Sequence, residues 1–350
     1  MLTKDKNIQG GKKRKVLNME MSVVGTDIDQ VKITSLSHIQ GQPQVIGQLE
    51  VHLRAYFNIR STSINSNPSF GPAILCGPSG TGKTMVAKAI HAELGNLKLI
   101  ETNGETVNNK LELFAILINA DDSTTIFIDE AQGMNSRAQH ILLTALSEGN
   151  LYVPARISSM YSRTIRLDKF TIILATTHEY LLQDALRNRM RIYCRFDYYS
   201  VEDLVGIVRQ RADALGWQYE SDEVLHIVAQ RAKGTPRQAL HRNLQTCWCV
   251  VKSHDRDVIT LEDVHEAFCH LQIDELGLDK LDRSYLEILL ECSRSSLGVL
   301  SSKLSLPAFT IQRVVEPYLL KECFIAKDKS VRIITEKGKN HIENTSLLPK

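Results

Sequence analysis

The stretch Gly77-Pro78-Ser79-Gly80-Thr81-Gly82-Lys83-Thr84 constrains this chain more than any other feature. Glycines at these positions let the backbone curl so that successive N–H groups point at an anion, beside the positive end of a helix. The apolar run Ala73–Cys76 before it has the length of a buried strand, and residues 85–94 after it are Ala-rich and helical in pattern. A Gly-rich surface turn would need neither the lysine nor the threonine in register between strand and helix. Gly80, Gly82 and Met85 are therefore expected to wrap a nucleoside triphosphate. Lys83 reaches its β- and γ-phosphates, and the Thr84 hydroxyl is a ligand for Mg²⁺.

With 350 residues there is room for two or three domains with proper cores, and 43% hydrophobic against 23% charged residues is ordinary for a soluble globular protein. The net charge of +2 means that nucleic-acid contact must come from local patches. No apolar run approaches the ~20 residues needed to span a bilayer, and the N-terminus lacks the apolar core of a secretory signal. Only Cys247 and Cys249 of the seven cysteines lie close together, at a spacing that suits neither a zinc knuckle nor a disulfide framework. Reduced, mostly buried thiols and a cytoplasmic location are the expectation.

Residues 1–30 are polar and aperiodic, and the first fifteen carry Lys4, Lys6, Lys12, Lys13, Arg14 and Lys15 against Asp5, a net +5. A solvated, disordered tail is favoured over a DNA-binding arm. A helix over 45–57 leads into a polar loop at 61–69 and then the glycine loop. Apolar, β-branched runs at 124–128 and 170–175 are each followed by helical pattern. Such alternation predicts an α/β fold with a parallel sheet covered on both faces. After Tyr199 the strands stop, and Val201–Leu215, 222–232 and 236–251 read as amphipathic helices. Residues 279–336 hold short helices and then an alternating pair, 324–327 and 331–335, turned by Asp328-Lys329-Ser330. Helices followed by such a hairpin suggest a winged helix.

The second strand ends in Asp129-Glu130. A carboxylate pair after a strand often only favours a helix N-terminus. At the carboxyl end of a parallel strand, about forty-five residues after Lys83, it emerges beside the phosphate loop. Asp129 then holds Mg²⁺ through water and Glu130 polarises the attacking water. The third strand ends in Thr176-Thr177, suited to N-capping or to contacting the γ-phosphate and the water. Arg187, Arg189 and Arg191 form a cluster that reads as a solvated face or as an arginine finger acting on a neighbouring subunit. Gly234-Thr235-Pro236-Arg237 opens a helix whose Pro is ordinary in a first turn, with Arg237 facing back toward the nucleotide.

Together these motifs resemble the AAA+ ATPases, and over roughly residues 31–340 the chain resembles the RuvB family of that class. Ile39-Gln40-Gly41-Gln42 is similar to the family's entry motif beside the adenine, which assigns Ile39 to nucleotide binding. Ser162-Arg163-Thr164-Ile165-Arg166-Leu167 with Phe170-Thr171 and Ala175-Thr176-Thr177 resembles its stretch from hairpin to sensor. Gly277-Leu278-Asp279 with Leu281-Asp282-Arg283-Ser284-Tyr285-Leu286, then Thr310-Ile311 and Val315-Glu316-Pro317-Tyr318-Leu319-Leu320, resemble its C-terminal domain.

The resemblance implies a basic tail at 1–30, an AAA+ ATPase domain at 31–198, a helical lid at 199–275 and a winged helix at 276–344. It implies Thr177 as first sensor with Thr176 second choice, Arg189 as trans finger with Arg187 second, and Arg237 as second sensor. The hairpin at 150–163 would meet RuvA, the junction-binding partner, and the winged helix would grip DNA. The implied activity is ATP-driven branch migration of Holliday junctions by a homo-hexamer in recombination and repair, without membrane association. Ser79 stands where the family commonly has Pro, and Asp129-Glu130-Ala131-Gln132 replaces Asp-Glu-Ile-His. Val31-Lys32-Ile33 replaces Leu-Arg-Pro, and Val153-Pro154-Ala155-Arg156-Ile157-Ser158-Ser159 takes the place of a Gly-rich hairpin tip.

The predicted wing, 321–339, is net +3, and Lys327, Lys329 and Arg332 are its candidate DNA contacts. On a hairpin after a helix–helix unit, sequence-independent phosphate contact is favoured over a merely solvated face. Alternative functions are a related ATPase for DNA loading or remodelling, and a nucleotide-gated DNA-binding protein that hydrolyses little.

Overall fold

A computed structural model describes residues 25–62, 68–153 and 163–346. The chain runs through strands β1 (Ala73–Cys76), β2 (Lys98–Asn103) and β3 (Thr124–Asp129), a ribbon of β4 (Asn150–Val153) and β5 (Arg163–Arg166), then β6 (Thr171–Thr176) and β7 (Ile192–Arg195). Five of these form a parallel sheet in the order β2-β3-β6-β1-β7. Its central strands are buried at nearly every position because both faces are covered. Ile74, Ile126 and Leu174 point into one core, while Leu75, Phe127 and Ile173 point into the other. Insertion of β6 between β1 and β3 brings the ends of these three strands together, where α/β sheets bind ligands. The α/β expectation holds. The two edge strands, β2 and β7, are additions to the sequence-based pattern.

The helical lid consists chiefly of Val201–Leu215, Asp222–Gln230, Gln238–Ser253 and Leu261–Leu271, the third beginning as a wide π-type helix over Gln238–Leu244. Its core stacks Trp217 on Trp248 at 4.6 Å between ring centroids. Strands do not wholly stop after Tyr199: β8 (Gln218–Tyr219) pairs in parallel with β9 (Val258–Ile259). Residues 25–30 also depart from the expectation of a tail. Ile28 is 1% exposed in the lid core, and Trp217 donates its indole N–H to the Gly25 carbonyl at 2.6 Å. The basic cluster at 4–15 lies outside the described residues.

The C-terminal unit packs helices Lys280–Cys292, Leu297–Leu304 and a continuous turn-by-turn run from Ala308 to Lys321 on a three-stranded sheet. That sheet has the order β10 (Arg294–Ser296), β12 (Val331–Ile334), β11 (Ile325–Asp328), and the helix Glu336–Ser346 closes it. A winged helix was expected, and the extra strand β10 and final helix complete it. Lys233 of the lid, 7% exposed, binds Asp279 at 3.1 Å and also Asp282, both in the capping box of the first winged-helix helix. Of the seven cysteines only Cys76, Cys194 and Cys247 are buried, so mostly buried thiols is corrected to mostly exposed ones. No helix of the described residues is long and apolar enough to cross a membrane.

Candidate active site

The glycine loop bridges β1 and the helix Lys83–Leu94. Gly80 is left-handed at φ +77°, and a Cβ there would lie 2.9 Å from the Arg237 Cβ, so only glycine lets the lid approach the loop this closely. Arg237 also donates its backbone N–H to the Gly80 carbonyl at 3.3 Å. Tyr199, where the lid begins, donates its hydroxyl to the Thr81 carbonyl at 3.0 Å. The loop is thus held from the lid side at two points.

A cleft of about 960 Å³ opens between loop and lid, lined by Gly80, Gly82, Lys83, Thr84, Met85, Asp129, Glu130 and Arg237 among others. The volume suits a nucleotide, since small-molecule clefts run to about 300–1,000 Å³. Lys83 is 7% exposed and donates to the carbonyls of Gly77 at 2.9 Å and Pro78 at 2.7 Å. Burial pushes its ammonium below the ordinary lysine range, against the opposing pull of Glu130 and Asp129. A phosphate oxygen is a better partner for this buried cation than two neutral carbonyls.

Thr84 donates its hydroxyl to Asp129 Oδ2 at 2.9 Å. Two hard oxygens at the mouth of a phosphate loop fit Mg²⁺, which takes one or two protein oxygens and otherwise water and phosphate. Among the described residues no group of three or more His, Cys, Asp or Glu could hold a metal, so an all-protein cage is not built here. Mg²⁺ would neutralise charge on the phosphates, and Thr84 and Asp129 are the residues to hold it.

Glu130 follows β3 in the left-handed region, φ 45° and ψ 46°, where a non-glycine residue is strained. Its Oε2 accepts from Thr177 Oγ1 at 3.3 Å and from the Gln132 side-chain amide. Thr177 therefore faces the carboxylate from the end of β6. Thr176 is buried at 1% exposure and donates to Gln132 Oε1 at 2.5 Å. Of the two threonines, Thr177 is the one that meets Glu130, although it is not part of the cleft lining.

Two expectations change. Ile39 is not part of the cleft lining; it packs on the sheet core, and its neighbours instead tie down the lid and the segment leading into it. Gln42 donates to the Asp197 carbonyl at 2.6 Å, and Gln210 of the lid donates to the His38 carbonyl at 3.0 Å. The far wall of the cleft comes from Asp29, Val31, Lys32 and Ile33, held by Arg211, whose Nη1 donates to the carbonyls of Ile28 at 2.6 Å and Val31 at 3.2 Å. The buried Arg211 at this wall was legible only as a polar interruption in an amphipathic helix.

Arg332 is the second change. It is 4% exposed, with Nε 2.7 Å from Glu316 Oε1 and Nη2 3.3 Å from Oε2, so it belongs to the winged-helix interior and not to a DNA-facing surface. Lys327 also reaches Glu316, at 2.7 Å, while Lys329 is exposed at the wing tip. Alternation along a two-stranded wing does not say which of its faces a helix will cover, and the helix that carries Glu316 covers the Arg332 side. The arginine cluster sits apart from both. Arg189 lies away from the cleft of its own chain and donates to the Leu146 carbonyl at 2.7 Å, and Arg187 pairs with Asp184. The hairpin at 150–163 is described only as far as β4 and β5; its tip, 154–162, lies outside the described residues.

Two family models match: the Holliday junction DNA helicase RuvB P-loop domain over residues 31–196 and the RuvB C-terminal winged helix domain over 275–343. The Holliday junction branch migration complex subunit RuvB of Neorickettsia sennetsu is 30% identical over 90% of this chain and 94% of its own. That of Thermosipho melanesiensis is 33% identical over 85% of this chain and 96% of its own. Among solved structures, the Thermotoga maritima RuvB Holliday junction branch migration motor superposes with a TM-score of 0.75 at 29% identity, covering 89% of this chain and 97% of that one. A variant of the same protein reaches 0.78, again at 29% identity, covering 89% of this chain and 99% of that one. With its ATPase domain and its winged helix each matched and its relatives aligned end to end, this chain belongs to the RuvB family of P-loop helicases of Holliday junction branch migration.

Proposed function

We propose that this protein hydrolyses ATP to drive branch migration of Holliday junctions, as one subunit of a hexameric ring acting with a RuvA-like junction-binding partner. The observation that carries the reading is the cleft itself, where Lys83, Thr84, Asp129, Glu130 and Arg237 line one space between glycine loop and lid. ATP lies with its phosphates along the loop, with Lys83 and Arg237 balancing their charge. Glu130 takes a proton from water as the water oxygen bonds the γ-phosphorus. The bond to the bridging oxygen breaks, leaving ADP and phosphate. Thr177 orients that water beside Glu130.

Arg189 acts on the γ-phosphate of a neighbouring subunit, which its distance from its own cleft supports. Because the lid grips the glycine loop through Tyr199 and Arg237, and Lys233 ties lid to winged helix, changes at the phosphates reach the DNA-binding unit. Duplex DNA is held by phosphate contacts such as those of Lys329, without reading bases. The test is ATP turnover with and without four-way junction DNA. Stimulation by the junction, abolished in Glu130→Gln with nucleotide binding retained, is the expected result; Glu130→Gln turning over normally would overturn the assignment of the base.

A further inference from the structure

Glu130 is exposed and strained, and such a carboxylate needs a neighbour to hold it where water will be activated. The turn Ala131–Gly133, closed by Gly133 N–H to the Glu130 carbonyl at 2.8 Å, folds the chain back so that the side chain two residues on meets the end of β6. That side chain is Gln132. Its Oε1 accepts from Thr176 Oγ1 at 2.5 Å, and its Nε2 donates to Thr177 Oγ1 at 3.0 Å and to Glu130 Oε2. Both amide hydrogens are committed and the oxygen is occupied. The amide can sit only this way round, because its oxygen turned toward Glu130 would set acceptor against acceptor.

From this geometry we infer that Gln132 is a positioning residue that couples Thr177 to Glu130. It rests on Thr176, which is buried and cannot follow it, so the amide is anchored at one end. Thr177 is the less confined member, half-buried just past the end of β6, and its hydroxyl also meets His178 Nδ1 at 2.8 Å. When Thr177 turns to a phosphate oxygen or to water, the amide hydrogen it shared is freed. The carboxylate, tied to the same nitrogen, is then set for the water. The state of the third strand is thereby transmitted to the general base through one side chain.

The inference rests on Glu130 being the base, and the experiment separates the two. ATP turnover and the affinity of a fluorescent ATP analogue are measured for the full chain with Gln132→Met, Gln132→His and Glu130→Gln. The expected result is a fall in kcat of about 10- to 100-fold for Gln132→Met, part of the 10²–10⁴-fold that a positioned base supplies. Analogue affinity stays within about twofold, because the phosphate loop is untouched. Gln132→His, whose imidazole keeps a donor for Glu130, recovers most of the loss. Adding Thr177→Val to Gln132→Met costs little more than the worse single change, since both act on one carboxylate. Gln132→Glu, isosteric and without the donors, covers the case in which methionine disturbs the turn, and it must lose turnover at least as severely. Native kcat in Gln132→Met and Gln132→Glu with Glu130→Gln inert would overturn the role of Gln132 alone. Turnover in Glu130→Gln would overturn both.

Discussion

Replacing Arg332 is expected to loosen the winged helix before it touches DNA affinity. Glu316 is fully buried at 0% exposure, and its carboxylate takes Arg332 on both oxygens, Lys327 at 2.7 Å and the Tyr285 hydroxyl at 3.2 Å. Removing one partner of a buried ion pair costs about 3–5 kcal/mol, because the charge left behind is uncompensated. Lys327 and Tyr285 remain, so the lower end, about 3 kcal/mol, applies to Arg332→Met. A domain of this size has roughly 3–10 kcal/mol in all, so the loss takes a large share of its stability. Amide exchange in peptides spanning β11 and β12 of the full chain should quicken by about 100- to 200-fold, since 1.36 kcal/mol is tenfold. Lid peptides around Trp217 and Trp248 should be unaffected. Adding Glu316→Met should restore most of the protection, since an apolar pair of similar volume often replaces an ion pair without loss. Unchanged exchange in the wing, with weaker and less salt-dependent DNA binding instead, would refute this placement of Arg332.

Other expectations follow from the same contacts. Burial pushes the Glu316 carboxyl up, but Arg332 and Lys327 outweigh it and hold it below the usual glutamate range. The stability it contributes is therefore present above the ordinary glutamate pKa and lost as pH falls through the folded value, and wing exchange measured down an acid series should show that sign. Tyr199→Phe removes the hydroxyl bonded to the Thr81 carbonyl, and nucleotide affinity should weaken by about 1 kcal/mol, or about fivefold, in a binding titration. Gly41→Ala places a Cβ 2.7 Å from the Tyr199 ring at φ +72°, and should lower the melting temperature of lid and ATPase domain together. Lys329→Ala should leave stability alone and reduce the salt slope of DNA binding by about one ion per subunit. Arg189→Ala mixed with Lys83→Ala protein should regain ATPase activity that neither has alone; mixtures that stay inactive would count against a finger acting between subunits.

The nucleotide cleft was legible because its residues sit in short, chemically distinctive runs. Glycines with Lys83 and Thr84, and Asp129-Glu130 after an apolar strand, fix their own backbone geometry. What was not legible depends on pairing across the sheet. β2 is an edge strand with no buried position, and β7 carries Tyr193 and Arg195 among its apolar residues, so neither reads as a buried run. Gln132 was visible as a departure at its position, yet its role needs β3 and β6 side by side. Arg332 was misread as a surface cation because nothing local to it announces Glu316, sixteen residues earlier on a helix that packs against the wing. Ile39 was carried by resemblance to nucleotide binding, whereas the far wall of the cleft is built from Asp29, Val31, Lys32 and Ile33 and pinned by Arg211.

The most direct test of the account is dissociation of a synthetic four-way junction by the full chain with a junction-binding RuvA, comparing ATP, a non-hydrolysable analogue and the Glu130→Gln variant. The account predicts junction movement with ATP alone, and none with the analogue or the variant although both still bind nucleotide. Brisk ATP hydrolysis that leaves the junction intact, or movement that survives Glu130→Gln, would contradict it.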